Sequence, residues 1–165
     1  MCHALGVDVP EITQAFEVAF DQAIVFHGYT DYMRDYEVIV CPVGAPGPGL
    51  EPKSLRYLFT HCVAATLTSA LTPATWASSL DERLIDYGQG VDLDGYVWGV
   101  KFQSLYPGAE LVANSPEASR WHEALGIPFH EAVLRTNGHI IRLVFSDLRV
   151  TEVASGWTPF TLDAD

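Results

Sequence analysis

The chain has 165 residues, of which 9 are Lys or Arg and 21 are Asp or Glu, so its formal net charge is −12. Hydrophobic residues make up 48% of the sequence and aromatic residues 12%, which is enough to bury a core and excludes global disorder. Nine scattered basic residues also argue against a nucleic-acid-binding surface. The length predicts one domain over residues 1–165, with a core from about 10 to 153 between a short N-terminal arm and a short C-terminal tail.

The cysteines and the N-terminus indicate the compartment. The chain has three cysteines, an odd number, and none lies in a metal-binding spacing. The first residues lack the basic and apolar regions of a signal peptide. We therefore expect a reduced, cytoplasmic protein without a bound metal or cofactor. Residues 57–80 contain no Asp, Glu, Lys or Arg, but Thr, Ser and His interrupt the run, and no membrane span is predicted.

The first half of the chain predicts one helix followed by strands. Apolar residues at helical spacing predict a helix from Pro10 to Phe26, ended by His27-Gly28. β-Branched and aromatic residues predict a strand from Tyr36 to Cys41. A loop rich in Pro and Gly follows from Gly44 to Pro52. The segment from Leu55 to Leu71 is rich in aromatic, Thr and β-branched residues, and it indicates either one strand or two.

The second half predicts two more helices and a hairpin. The first of these helices spans Thr75 to Tyr87, and a strand follows from Tyr96 to Phe102. Ser115 is predicted to cap a helix that ends at Leu125, because Gly126 is a typical helix terminator. The whole pattern predicts a single α+β domain in which three or so helices pack on an antiparallel β-sheet.

The clearest local signal is Asn137-Gly138, which lies between two β-rich runs and predicts a two-residue type I′ turn. Counting outward from this turn pairs Arg135 with Ile140 and His130 with Phe145. One face of the hairpin then becomes the predicted core face. Its members are His130, Ala132, Leu134, Ile141, Leu143 and Phe145. The second arm is expected to continue after a bend at Ser146-Asp147.

A pocket built from His27, Arg56 and His61 is one candidate site, and it implies a small enzyme or a metal-dependent protein. These residues lie where aromatic strands and a glycine can form a cleft. An imidazole near carboxylates can act as a general base or as a metal ligand. Cys62 is expected to be a core residue, because consecutive strand side chains point to opposite faces and His61 cannot activate it. The sequence contains no common nucleotide-binding, hydrolase or zinc-protease motif, so the enzyme is the less favoured alternative.

The net charge favours a different function, a binding protein that captures a basic protein partner. The predicted contact set is acidic and aromatic: Asp31, Tyr32, Asp35, Asp81, Glu82, Asp86, Asp92 and Asp94. A homodimer is a third alternative, because an open sheet can present aromatic side chains to a second copy. Neither nucleic acid nor a membrane is an expected partner.

Several segments of the sequence carry a family resemblance. They include Phe26-His27-Gly28-Tyr29, Leu55-Arg56-Tyr57, Asp92-Leu93-Asp94-Gly95 and Leu143-Val144-Phe145-Ser146-Asp147-Leu148. Together they resemble a group of actinobacterial proteins known as YxiG-like, over roughly Ile12 to Val153. This resemblance implies no reaction and no catalytic residue. A compact sheet that ends in a strand such as Ile141 to Val150 is also similar to small bacterial immunity-type proteins encoded near toxins, which implies a protein partner.

Overall fold

A computed structural model describes residues 8–42, 53–74, 103–154 and 157–158. These residues form two helices and nine strands. The helices are α1 (Val9–Ala19) and α2 (Pro116–Leu125). The strands are β1 (Ala23–Tyr29), β2 (Tyr36–Cys41), β3 (Leu55–Thr60), β4 (Ala64–Ser69), β5 (Gln103–Ser104), β6 (Gly108–Leu111), β7 (His130–Arg135), β8 (His139–Phe145) and β9 (Asp147–Glu152).

The strands form two antiparallel sheets. The five-stranded sheet has the order β5-β1-β2-β3-β9, and the four-stranded sheet has the order β4-β8-β7-β6. The fold is therefore α+β, but the prediction of one sheet is wrong, because there are two sheets. The described ranges contain two helices, where three or so were predicted for the chain. The predicted loop at 44–52, helix at 75–87 and strand at 96–102 lie outside those ranges.

The two sheets meet at a shared corner, where the chain passes from one sheet to the other twice. Segments predicted to belong to one sheet are therefore divided between two. β3 continues into β4 through residues 61–63, and β8 continues into β9 through Ser146. His61 has a φ of +48°, a left-handed conformation that breaks the regular strand path. The Ser146 N–H donates to the Thr60 carbonyl at 3.0 Å, so the two strand pairs stay joined through the bend. The segment from Leu55 to Leu71 thus holds two strands, and the predicted bend at Ser146 is confirmed.

α1 is shorter than predicted. It ends at Ala19, because Phe20 is extended and Asp21 has a φ of +58°. The apolar residues that follow belong to β1, where Ile24 pairs with Val40 of β2. The predicted helix end at Phe26 is therefore wrong, and His27-Gly28 lies inside a strand. The prediction extended the helix too far because the buried apolar residues at the start of β1 continue the helical spacing.

α2 and the hairpin that follows it match their predicted positions. The Ser115 hydroxyl accepts the Ala118 N–H at 3.1 Å, and Gly126 ends α2 with a φ of +71°. The hairpin register is also confirmed, from Arg135 opposite Ile140 to His130 opposite Phe145.

The turn of this hairpin is not type I′, because neither Asn137 nor Gly138 has the positive φ which that turn requires. Instead, the Thr136 hydroxyl accepts the backbone N–H groups of Gly138 at 3.1 Å and of His139 at 2.8 Å. A side-chain oxygen therefore closes the turn in place of left-handed backbone.

The main core lies between the two sheets and α1. Phe59 of the five-stranded sheet meets Phe145 of the four-stranded sheet edge to face, with ring centroids 4.8 Å apart, and Phe16 of α1 packs on Phe59 at 6.4 Å. Five of the six residues of the predicted hairpin core face are fully buried, and His130 is half-buried. Cys62 is buried, as predicted.

A second, smaller cluster forms where α2 covers the outer face of the four-stranded sheet. Ala118 of α2 packs there with Phe129 and Val144. Among the described residues, no helix combines the length and the apolar character of a membrane span.

Candidate functional site

The turn between β1 and β2 presents two large apolar side chains to solvent. Tyr32 is 69% exposed and Met33 is 68% exposed, and Asp31 beside them is also exposed. The Arg34 guanidinium lies 4.8 Å from the centre of the Tyr32 ring, in a cation–π contact. We call residues Asp31 to Arg34 the β1–β2 tip. Of the predicted contact set, Asp31 and Tyr32 lie on it.

Backbone hydrogen bonds fix the shape of the β1–β2 tip. The Thr30 N–H donates to the Asp35 carbonyl and the Met33 N–H to the Thr30 carbonyl, each at 2.9 Å. Met33 has a φ of +58°, a conformation that costs a side-chain-bearing residue about 1 kcal/mol. The Arg34 carbonyl accepts the Cys62 N–H at 2.8 Å. The tip is therefore held against the corner between the sheets.

Asp35 completes this attachment from its side chain. Its Oδ1 atom accepts the backbone N–H of His61 at 2.9 Å, and its side chain is only 17% exposed. The structure thus places Asp35 behind the tip as an anchor, whereas the sequence predicted a contact residue. His61 Nδ1 is buried and has no hydrogen-bond partner among the described residues.

His27 belongs to a line of polar aromatic groups that faces the core. A hydrogen bond of 2.8 Å joins its Nδ1 atom to the Tyr36 hydroxyl. Tyr29 meets Tyr36 edge to face at 5.2 Å, and its hydroxyl donates to the Cys62 carbonyl at 3.2 Å. Burial lowers the pKa of His27, and the nearby His139 lowers it further. Burial also raises the pKa of Tyr29 and of Tyr36 to about 12.

Arg56 lies elsewhere. His27 is directly opposite Val38 in the sheet, whereas Arg56 is opposite the next residue, Ile39. Neighbouring residues of a strand point to opposite faces, so His27 and Arg56 do not share a pocket. Arg56 Nε instead donates to Glu37 Oε2 at 2.6 Å, and the Glu37 side chain is 6% exposed.

Cys62 does not have the environment of a nucleophile. Burial raises the pKa of its thiol to about 11, and the thiol donates to the Ala64 carbonyl at 3.3 Å. The predicted core role of Cys62 is therefore consistent with its chemistry as well as with its burial. Within the described ranges, no group of three or more His, Cys, Asp and Glu side chains is placed to hold a metal ion.

Sequence reasoning missed a cleft of about 770 Å³ between α1, β6 and α2. We call it the α1–α2 cleft. Its apolar lining includes Phe16, Leu111 and Phe129. Ser115 Oγ donates to Glu131 Oε2 at 2.5 Å and accepts the Ala118 N–H at 3.1 Å, so this hydroxyl both caps α2 and joins it to β7. The pairing of Ser115 with Glu131 joins a helix start to a strand, and no local sequence pattern signals it.

The remaining predicted contact residues belong to the segment from 81 to 94. They are Asp81, Glu82, Asp86, Asp92 and Asp94, which lie outside the described residues.

The fold and the exposed tip define a two-sheet α+β protein with a preformed surface turn. The family model of the YxiG-like proteins matches residues 8–163, so the chain belongs to that family, and the resemblance noted in the sequence is confirmed. No curated protein and no solved structure shows a significant match.

Proposed function

We propose that this protein is a binding module that captures a basic protein partner through the β1–β2 tip. The observation that carries the proposal is the exposure of Tyr32 and Met33 on a turn that Asp35 and the corner hold in place. Tyr and Met are enriched in protein interfaces, and buried aromatic anchors supply much of their affinity. A turn that is already ordered loses little entropy on binding.

The distribution of charge supports a basic partner. The described ranges hold 13 acidic and 7 basic residues, and each basic residue lies within ion-pair distance of a different carboxylate. Six carboxylates in these ranges have no such cation: Asp8, Glu11, Glu17, Asp21, Asp31 and Glu123. Asp31 lies on the tip itself. Arg34 on the tip lies 3.6 Å from the Asp35 carboxylate, so the charge of Asp31 is left uncompensated and attracts an approaching basic surface.

The finer form of this proposal is an immunity-like role in the cytoplasm, with a basic toxin as the partner. Its support is the likeness of the sequence to small immunity-type proteins. The alternative of a small enzyme has less support, because the register separates His27 from Arg56.

The test is a quantitative pull-down from host lysate with three forms of the full chain. The tip variant carries Tyr32→Ala and Met33→Ala. The matched control carries Val18→Ala and Leu125→Ala, which remove comparably exposed apolar side chains elsewhere. We expect the wild type and the control to retain one basic protein, the tip variant to lose it, and rising salt to weaken its capture.

Two results would contradict the proposal: capture that does not depend on the tip, or capture of a partner that is not basic and does not respond to salt. Size-exclusion chromatography of the same three forms tests the homodimer. A dimer that only the tip variant loses would make a second copy of the chain the partner.

A further inference from the structure

We propose that the α1–α2 cleft binds a small organic cation with an apolar body. The cleft shares no residue with the β1–β2 tip, so this inference goes beyond the proposed function. Its volume of about 770 Å³ lies within the roughly 300–1,000 Å³ typical of small-molecule sites.

The shape of the cleft follows from the side chains on its two helical walls. Ser115, Ser119 and Glu123 line the α2 wall at a spacing of four residues, which places them on one face of the helix. The two serines are small and leave room between the helices. Val9 from the first turn of α1 and Phe16 from its second half line the opposite wall. The gap between the helices is therefore wide enough to admit a whole small molecule.

The apolar part of the ligand is specified by Phe16, Leu111 and Phe129, which line the cleft from three different segments of the chain. Phe129 is buried and rests on Trp121 of α2, with ring centroids 6.1 Å apart. These contacts hold the Phe129 ring in place, so it offers a fixed surface on which a flat or aliphatic group can pack.

The charge of the ligand is specified by the carboxylates. Glu110, Glu123 and Glu131 line the cleft, and no Lys or Arg lines it. Arg142 donates to Glu131 Oε1 at 3.2 Å and Arg135 donates to Glu110 Oε1 at 2.6 Å, and both arginines lie outside the lining. Glu123 has no ion-pair partner in the described ranges. A ligand ammonium gains charge-assisted hydrogen bonds here, and a ligand carboxylate is repelled.

Of the two histidines that line the cleft, His130 does not oppose a cation. Burial lowers the pKa of His130, so its imidazole is neutral at pH 7. His122 Nδ1 lies 2.9 Å from the Ile127 carbonyl oxygen, which fixes this nitrogen as the donor.

Isothermal titration calorimetry of the full chain with three probes of similar shape tests the proposal. The probes are 2-phenylethylamine, 2-phenylethanol and 3-phenylpropionate. We expect the amine to bind, the alcohol to bind about tenfold more weakly, as the loss of one charge-assisted hydrogen bond predicts, and the carboxylate to give no heat of binding.

Four variants locate the site. Glu131→Gln and Glu123→Gln should each weaken binding of the amine without changing binding of the alcohol. Glu123 is exposed on α2, so Glu123→Gln tests the charge even if Glu131→Gln fails to fold. Ser119→Trp should fill the cleft and abolish binding of both. Glu11→Gln, which removes an unpaired carboxylate outside the cleft, is the control and should bind like the wild type. The proposal is overturned if the amine does not bind, if the three probes bind equally, or if the cleft variants behave like the control.

Discussion

The Asp35 carboxylate accepts the backbone N–H of His61 at 2.9 Å and so ties the β1–β2 tip to the corner between the two sheets. We expect Asp35→Ala to lower the free energy of unfolding by about 1–2 kcal/mol, because it leaves that N–H without its partner. Asp35→Asn retains an acceptor oxygen and should lose less. The exposed neighbour variant Asp31→Ala serves as the control. Urea denaturation of the three variants measures the difference, and equal losses at positions 35 and 31 would contradict the anchoring role.

The ion pair between Glu37 and Arg56 gives a second stability prediction. Arg56→Ala leaves a carboxylate that is 6% exposed without its cation, which we expect to lower the free energy of unfolding by about 3 kcal/mol. Replacing both Glu37 and Arg56 by Met removes the unpaired buried charge and should restore most of the lost free energy of unfolding.

The control for the ion pair is Arg149→Ala, whose side chain is 67% exposed and lies 3.8 Å from Asp147. We expect this change to cost at most about 0.5 kcal/mol. Chemical denaturation compares all of these variants. A double Met variant as unstable as Arg56→Ala would show that packing around Arg56, and not the stranded charge, explains the loss.

Stability should fall as the pH is lowered from 8 to 5.5. Burial lowers the folded-state pKa of His27, His130 and His139 below their ordinary value of 6.5. The unfolded chain therefore binds more protons than the folded chain in this range. The stabilisation from these histidines is fully present above pH 6.5 and is lost as the pH falls towards their folded-state pKa values.

Urea denaturation across this pH range checks the prediction. His27→Gln should flatten part of the slope, and the exposed helix variant His122→Gln is the control. A stability that rises towards pH 5.5, or a slope that His27→Gln leaves unchanged, would count against the assignment.

Cys62 should resist thiol reagents in the folded protein. A pKa of about 11 leaves only about 0.1% of the thiol ionised at pH 8, and the side chain is buried as well. In a variant with Cys2→Ser and Cys41→Ser, the reaction with Ellman's reagent should be slow in buffer and fast in guanidinium. A second variant that keeps only the half-buried Cys41 is the comparison. Rapid reaction of folded Cys62 would restore it as a candidate nucleophile.

The sequence predicted local structure better than it predicted how strands combine. The register of β7 and β8 was predicted by counting outward from Asn137-Gly138, and it is correct although the turn is not type I′. A shift by one residue would expose Leu134 and Ile141, so burial of this face selects the same register. The turn chemistry was missed, since Thr136 closes it with a hydroxyl and no general pattern signals that exchange. The end of α1 was missed because apolar spacing does not reveal where a helix stops and a buried strand begins.

The candidate site could be predicted only in part. Asp31 and Tyr32 were predicted as contact residues because they are acidic and aromatic. The exposure of Met33, in contrast, depends on the turn conformation. Whether His27 and Arg56 share a face depends on the pairing of β1, β2 and β3, which a single sequence does not encode locally. The α1–α2 cleft depends on where the fold places two helices that lie far apart in the chain.

The corner that joins the sheets has a consequence for biosynthesis. Thr60 at the end of β3 meets Asp147 at the start of β9, which lies 87 residues further along the chain. During synthesis, β3 and β4 are made long before their partners β9 and β8. Each therefore has an edge with unpaired backbone N–H and C=O groups until its partner leaves the ribosome. A chain that stops before β9 keeps an open edge on β3, which is a template for aggregation. Among the described strands, β9 is the last to be made, and it covers the edge of β3.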